Sequence, residues 1–188
     1  LQSEGKTTFL SSLCYLLGQK NKRVLIIDLD LRRPKLHLVV DSLNNKGITD
    51  ILMGDIELND AIMKNTRIGV DVLSSGNRTT VYINILESVK LKSLVQELRT
   101  QYDYILIDSP PVIAVSDALY ISKLTDGVLF IVENSKTKKG IIKEAVSLLN
   151  KNQVKILGIV LVQVDLKKNT YGYGYTYGYG YTYHEAND

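Results

Sequence analysis

Four short stretches carry side chains whose types and spacing could act on a phosphate. The chain opens LQSEGKTT, and Gly5-Lys6-Thr7 ends a loop of the form G-x-x-x-x-G-K-[ST]. In such a loop backbone N–H groups, here around Glu4, Gly5, Lys6, Thr7 and Thr8, surround phosphate oxygens, and the following helix adds its positive N-terminal end. The lysine ammonium reaches the β/γ-phosphates and the threonine hydroxyl ligates Mg²⁺. The loop's first glycine would fall one residue before Leu1, and the strand that feeds it would lie further upstream, so a piece of a longer protein is expected.

The second stretch is VLIIDLDLRRP at 24–34. Its two aspartates are two residues apart, and a period of two puts Asp28 and Asp30 on one side of a strand end. Two carboxylates there can hold Mg²⁺, directly or through water, and one can accept a proton from a nucleophile. Arg32 follows with a guanidinium suited to phosphate oxygens. The third stretch, YDYILIDSPP at 102–111, is an apolar strand ending in Asp108, the pattern of a magnesium-binding carboxylate. Asp103 reads as a surface residue, and Asp117 as a helix-start residue that caps. The fourth is YGYGYTYGYGYTYHE near the end, with Tyr171, Tyr173, Tyr175, Tyr177, Tyr179, Tyr181 and Tyr183 on every odd position.

The elements that must position these residues are legible as alternation. Apolar runs at 23–28, 70–75, 102–108, 127–132 and 155–162 read as strands, most of them continuous as in a sheet buried on both faces. Between them, 6–18, 48–64, 87–101, 115–124 and 138–151 have helical spacing. This order predicts a doubly wound, mostly parallel α/β sheet of the P-loop NTPase kind, spanning 1–164. Residues 165–188 form a low-complexity tail, expected to be flexible. Ligands of such sheets sit at the carboxyl ends of the strands, where the first three stretches fall.

Composition narrows the classes. Net charge is only +3, which does not argue for a nucleic-acid partner. The longest apolar runs are too short to span a bilayer. Cys14 is the only cysteine, which excludes an internal disulfide framework and leaves it a core residue. His184 lacks a partner constellation, and His37 reads as a surface residue rather than a catalytic one.

The GKT loop, the D-x-D-x-R-R-P strand end, the ILIDSPP strand and the tyrosine cluster, in this order, resemble the cytoplasmic domain of bacterial tyrosine kinases, the BY-kinases, within the deviant Walker P-loop ATPases. The likeness covers essentially the whole chain. It implies an ATP- and Mg²⁺-dependent protein-tyrosine autokinase, with Lys6 and Thr7 as Walker A residues. Asp28 and Asp30 would form the second motif, one of them the base. Asp108 would be the Walker B magnesium ligand and the seven tail tyrosines the phospho-acceptors. It further implies a ring of neighbouring subunits, a transmembrane activator, fused or separate, at the inner face of the plasma membrane, and a tyrosine phosphatase. The output would be control of capsule and exopolysaccharide production.

Three departures qualify the resemblance. A proline-rich segment is replaced by SGNRTTVYINILES at 75–88, with Asn84 near the family's glutamate. The last strand ends Leu161-Val162-Gln163 where the family has an asparagine expected near the adenine. The family's upstream helix is not in the sequence. Two other readings stay open: a partition-type ATPase, and a nucleotide-binding regulator with weak catalysis. Phosphate on the tail would add about −1.5 to −2 charges per site, so several would overwhelm the net +3 and repel neighbouring tails.

Overall fold

Five apolar runs form strands where the periodicity places them: β1 (Val24–Asp28), β3 (Asp71–Leu73), β4 (Tyr104–Asp108), β5 (Val128–Glu133) and β6 (Ile156–Val162). A further two-residue strand, β2 (Ile62–Met63), precedes β3. The computed structural model describes residues 5–134 and 136–164. Glu4 and the tyrosine row 171–183 lie outside the described residues.

β1 lies between β3 and β4, parallel to both, and β2 pairs antiparallel with β3, giving the order β2-β3-β1-β4. β5 and β6 pair parallel with each other as a separate two-stranded sheet. A groove of about 680 Å³ separates β4 from β5, with Ile105 and Ile107 on one bank and Leu129 and Ile131 on the other. The expected mostly parallel sheet is therefore found in two parts among the described residues.

Burial follows from strand position. Every residue of central β1 is buried. β6 has a partner on one side only and alternates half-buried with exposed positions, leaving Leu157, Ile159 and Leu161 on the surface. The expectation of strands buried on both faces holds for β1 and not for β6. Alternate residues of β1 seed two cores, as period two requires. Leu25 and Ile27 pack with Leu73, Leu91, Leu94 and Leu98, whereas Val24 and Ile26 pack with Cys14, Leu36 and Val72. Each fully buried Leu or Ile contributes roughly 1.5–3 kcal/mol. Burial also pushes the Cys14 thiol up to about 12, so it behaves as a small apolar side chain.

The helices that matter for the site are α1 (Lys6–Gly18), α6 (Val89–Gln101), α7 (Asp117–Ser122) and α8 (Lys139–Lys151), all close to their expected spans. α6 starts at Ser88, whose side chain accepts the Leu91 N–H. The stretch 48–64 is not one helix. It divides into α3 (Ile48–Met53), α4 (Leu58–Ala61) and β2, because Gly54 takes a left-handed φ of 86° and closes α3. Two short helices, α2 (Leu36–Val39) and α5 (Tyr82–Leu86), have no counterpart in the sequence reading.

Candidate active site

The phosphate-loop motif and the strand-end aspartates meet at the carboxyl ends of β1 and β4. Gly5 precedes α1 with φ 75°, a left-handed conformation that suits glycine, and α1 begins at Lys6. One residue on, Thr7 Oγ1 donates to Asp108 Oδ2 at 2.6 Å, joining residues 101 apart in sequence. Asp28 and Asp108 are the last register partners of β1 and β4. The backbone repeats the tie, with the Leu29 N–H donating to the Asp108 carbonyl at 2.9 Å.

Both carboxylates are buried, Asp28 at 0% exposure and Asp108 at 6%. Burial pushes the Asp28 carboxyl up to about 7, with three backbone N–H bonds only partly opposing it and Asp108 adding to the rise. Burial raises Asp108 too, while the Thr7 hydroxyl and the Lys6 ammonium pull it back. The three N–H bonds show how Asp28 is used. Its Oδ1 accepts from Asp30 N at 3.1 Å, and its Oδ2 accepts from Lys35 N at 3.2 Å and Leu36 N at 3.0 Å. Asp28 thus clamps the turn 30–36 against the strand end. Asp30 rides on that turn and is half-buried, with its Oδ1 accepting the Arg33 N–H at 3.0 Å. Of the two aspartates, Asp30 is the more exposed.

Arg32 is bonded to Asp117. Its Nε donates to Asp117 Oδ2 at 2.7 Å and its Nη2 to Oδ1 at 3.1 Å, and its guanidinium stacks 4.8 Å from the centre of the Tyr82 ring. Asp117 is the first residue of α7 and is fully buried. It makes no side-chain cap, so the expected capping role gives way to an ion pair. Asp103 lies on the surface as expected, at the opposite end of β4. Arg23 holds it down to about 2 through hydrogen bonds from its side chain and backbone.

Sequence reasoning missed the polar cluster beside β3. Asp50, buried on α3, accepts from Gly47 N at 2.9 Å, Asn77 N at 3.1 Å and Asn77 Nδ2 at 2.6 Å. Asn44 Nδ2 donates to Ser75 Oγ and to the Gly76 carbonyl, both at 2.9 Å. These bonds fix the segment after β3, the strand next to β1. Gly76 has φ 86° and a backbone against Asp50 and Thr49, so a side chain would collide there. The signal in the sequence was Gly47-x-x-Asp50, an acid three residues into a helix that can return to the backbone before it.

The donor set fits magnesium. Thr7 and Asp108 offer a hydroxyl and a carboxylate 2.6 Å apart, both hard oxygens. Among the described residues there is no cluster of three His, Cys, Asp or Glu able to hold a metal by itself. Magnesium needs none, because it binds through one or two carboxylates, water and substrate phosphates. Val162, at the end of β6, borders the phosphate loop, since a side-chain carbon on Gly5 would lie 3.9 Å from its Cγ2. Asn84 is exposed on α5. Among the described residues no helix is long and apolar enough to cross a membrane.

An AAA domain model matches residues 3–141. The chain is 32% identical over 171 residues to the tyrosine-protein kinase YwqD of Bacillus subtilis, covering 90% of this chain and 72% of that one. It is 29% identical over 175 residues to the tyrosine-protein kinase CpsD of Streptococcus agalactiae, covering 92% and 76%. The VpsO kinase domain superposes with a TM-score of 0.83 at 31% identity, over 88% of this chain and 81% of that one. The septum site-determining protein MinD of Pyrococcus horikoshii, solved with Mg-ADP, gives 0.70 at 27%, over 86% and 66%. The fold and site define a P-loop nucleotide-binding domain. Within that class, the chain belongs to the bacterial tyrosine-protein kinase family.

Proposed function

We propose that the chain is an ATP- and Mg²⁺-dependent protein-tyrosine autokinase. Its domain is 1–164, its acceptors are Tyr171 to Tyr183 on the tail 165–188, and its output is control of capsule and exopolysaccharide production. The observation that carries this reading is the Thr7–Asp108 hydrogen bond, which joins the phosphate loop to the strand-end carboxylate. Glu4, Gly5, Lys6, Thr7 and Thr8 would hold the phosphates, and Thr7 and Asp108 the Mg²⁺, with Asp28 behind them. Bound magnesium would neutralise charge that develops on the transferring group.

The residues of this chain supply position and a proton acceptor. A free phenol has a pKa of about 10, so it needs a carboxylate near its hydroxyl at neutral pH. Asp28 is fully buried and clamped to the turn 30–36, whereas Asp30 is half-buried on that turn. We assign the base to Asp30. Its carboxylate takes the phenolic proton as the tyrosine oxygen bonds to the γ-phosphorus and the bond to the ADP oxygen breaks.

The kinase would work at the inner face of the plasma membrane with a transmembrane activator, in a ring of copies whose tails are neighbours' substrates, opposed by a tyrosine phosphatase. A partition-type ATPase is the competing class. The likeness to MinD is the weaker one, and such an ATPase has no role for seven tyrosines. Phosphotyrosine detection after incubation with ATP and Mg²⁺ separates the two. The kinase gives a signal that Lys6→Met abolishes and that changing all seven tail tyrosines to Phe largely removes. The ATPase turns over ATP with no phosphotyrosine.

A further inference from the structure

The fork between Arg32 and Asp117 joins the two loops that carry the site's carboxylates. Arg32 lies two residues beyond Asp30, in the irregular turn after β1. Asp117 opens α7, beyond the Pro110-Pro111 turn that follows Asp108. The pair is bidentate, at 2.7 and 3.1 Å, and Tyr82 of α5 covers the guanidinium. Asp117 has no exposed surface, whereas the Arg32 side chain keeps 36%. A buried carboxylate is costly unless paired in good geometry, so its retention calls for a use. Only a planar guanidinium fills this place, because it binds both oxygens and stacks on the ring at once.

We propose that Asp117 is a positioning residue for phosphoryl transfer, acting through Arg32 to hold the turn that carries Asp30. The proposal rests on the kinase reading above and reassigns Arg32 from phosphate ligand to strut. Three contacts then fix the turn. Asp28 clamps its backbone through Asp30, Lys35 and Leu36. The Leu29 N–H anchors its start on the Asp108 carbonyl. The Arg32–Asp117 fork anchors its middle on α7. Asp28 and Leu29 hold the two ends, so losing the fork frees the part in between without unfolding the sheet. Misplacing a reacting group by about 1 Å costs on the order of a hundredfold in rate.

The test uses Asp117→Asn, which keeps the shape, together with Arg32→Lys, Arg32→Gln and the double variant Arg32→Gln/Asp117→Asn. Three quantities are measured in the full-length protein: phosphotyrosine formation at saturating ATP, affinity for a fluorescent ATP analogue, and amide exchange over residues 29–34. The strut predicts a maximal rate lower by ten- to a hundredfold in each single variant, with nucleotide affinity changed less than about threefold. Arg32→Lys does not rescue, the double variant is no slower than the singles, and exchange over 29–34 is faster. Arg32→Gln weakening the nucleotide tenfold or more, with Asp117→Asn leaving the rate intact, would restore Arg32 as a phosphate ligand and overturn the proposal. Unchanged exchange over 29–34 in Asp117→Asn would overturn it as well. If the wild-type protein makes no phosphotyrosine, the kinase reading fails instead, and the exchange data still decide whether the fork holds the turn.

Discussion

Asp28 and Asp108 end adjacent parallel strands as direct register partners, and both are buried. Two carboxylates so placed repel each other and lack water, so at least one resists ionisation. Asp28 is that one, pushed up to about 7 chiefly by burial. The site therefore favours positive charge: the Lys6 ammonium holds Asp108 down against its burial, and the Thr7 hydroxyl donates to it.

Stability should depend on pH through Asp28. In the unfolded chain the group titrates near 3.8, and in the folded protein near 7. Between those values the folded state keeps a proton that the unfolded state releases, so stability falls as pH rises through the window. The slope is roughly 1.4 kcal/mol per pH unit, flattening above about 7. Urea unfolding in chelator, without nucleotide, should show the slope in the wild type. It should be reduced in Asp28→Asn, which has no proton to lose. Equal slopes in the two proteins would refute the assignment.

Asp50→Ala removes the acceptor of three N–H groups in a buried loop junction. Each donor left without a partner costs about 1–3 kcal/mol, and water entering the cavity recovers part of it. The expected loss is roughly 2–5 kcal/mol in denaturant unfolding, within the range for a broken buried network. Gly76→Ala meets the same junction from the other side, with a left-handed φ and a collision with Asp50, and should lower the melting temperature as well.

Thr7→Ala breaks the bond between phosphate loop and strand end, and Asp108→Asn removes the charge of its acceptor. Both should lower phosphotyrosine formation at least tenfold and raise the magnesium concentration needed for half-maximal rate, because each removes an oxygen assigned to the metal. Thr8→Ala, one residue on and exposed, keeps its backbone N–H and should do neither. A titration of rate against magnesium at fixed ATP checks all three.

Asp30→Asn should lower the autophosphorylation rate by roughly 10²–10⁴-fold, the range for loss of a general base. Binding of the ATP analogue and the melting temperature should change little, because the carboxylate is half-buried and holds one turn. Asp28→Asn, by contrast, should destabilise the turn 30–36, since three backbone donors converge on it. If Asp28→Asn alone stops transfer while Asp30→Asn is active, the base is Asp28.

What the sequence carried was whatever depends on near neighbours. Continuous apolar runs mark β1, β4 and β5, and of these only β1, with a strand on each side, is buried throughout. GKT and the strand-end aspartates mark the site because a phosphate loop and a carboxylate at a strand end are local patterns. The short helices α2 and α5 were not legible, since four or five residues make too little periodicity and tertiary packing sets them. The Arg32–Asp117 fork and the Asp50–Asn77 cluster join residues 85 and 27 apart, and no local rule pairs them. The division of 48–64 was legible in part. Gly54 is a helix-stop signal that the apolar spacing around it concealed.

The most direct test is the intact mass of the full-length protein, as purified and after incubation with ATP and Mg²⁺. The account predicts a ladder of added phosphates that maps to residues 171–183 and is absent in Lys6→Met. A mass that stays unmodified with ATP, while the same sample binds the nucleotide, would contradict it.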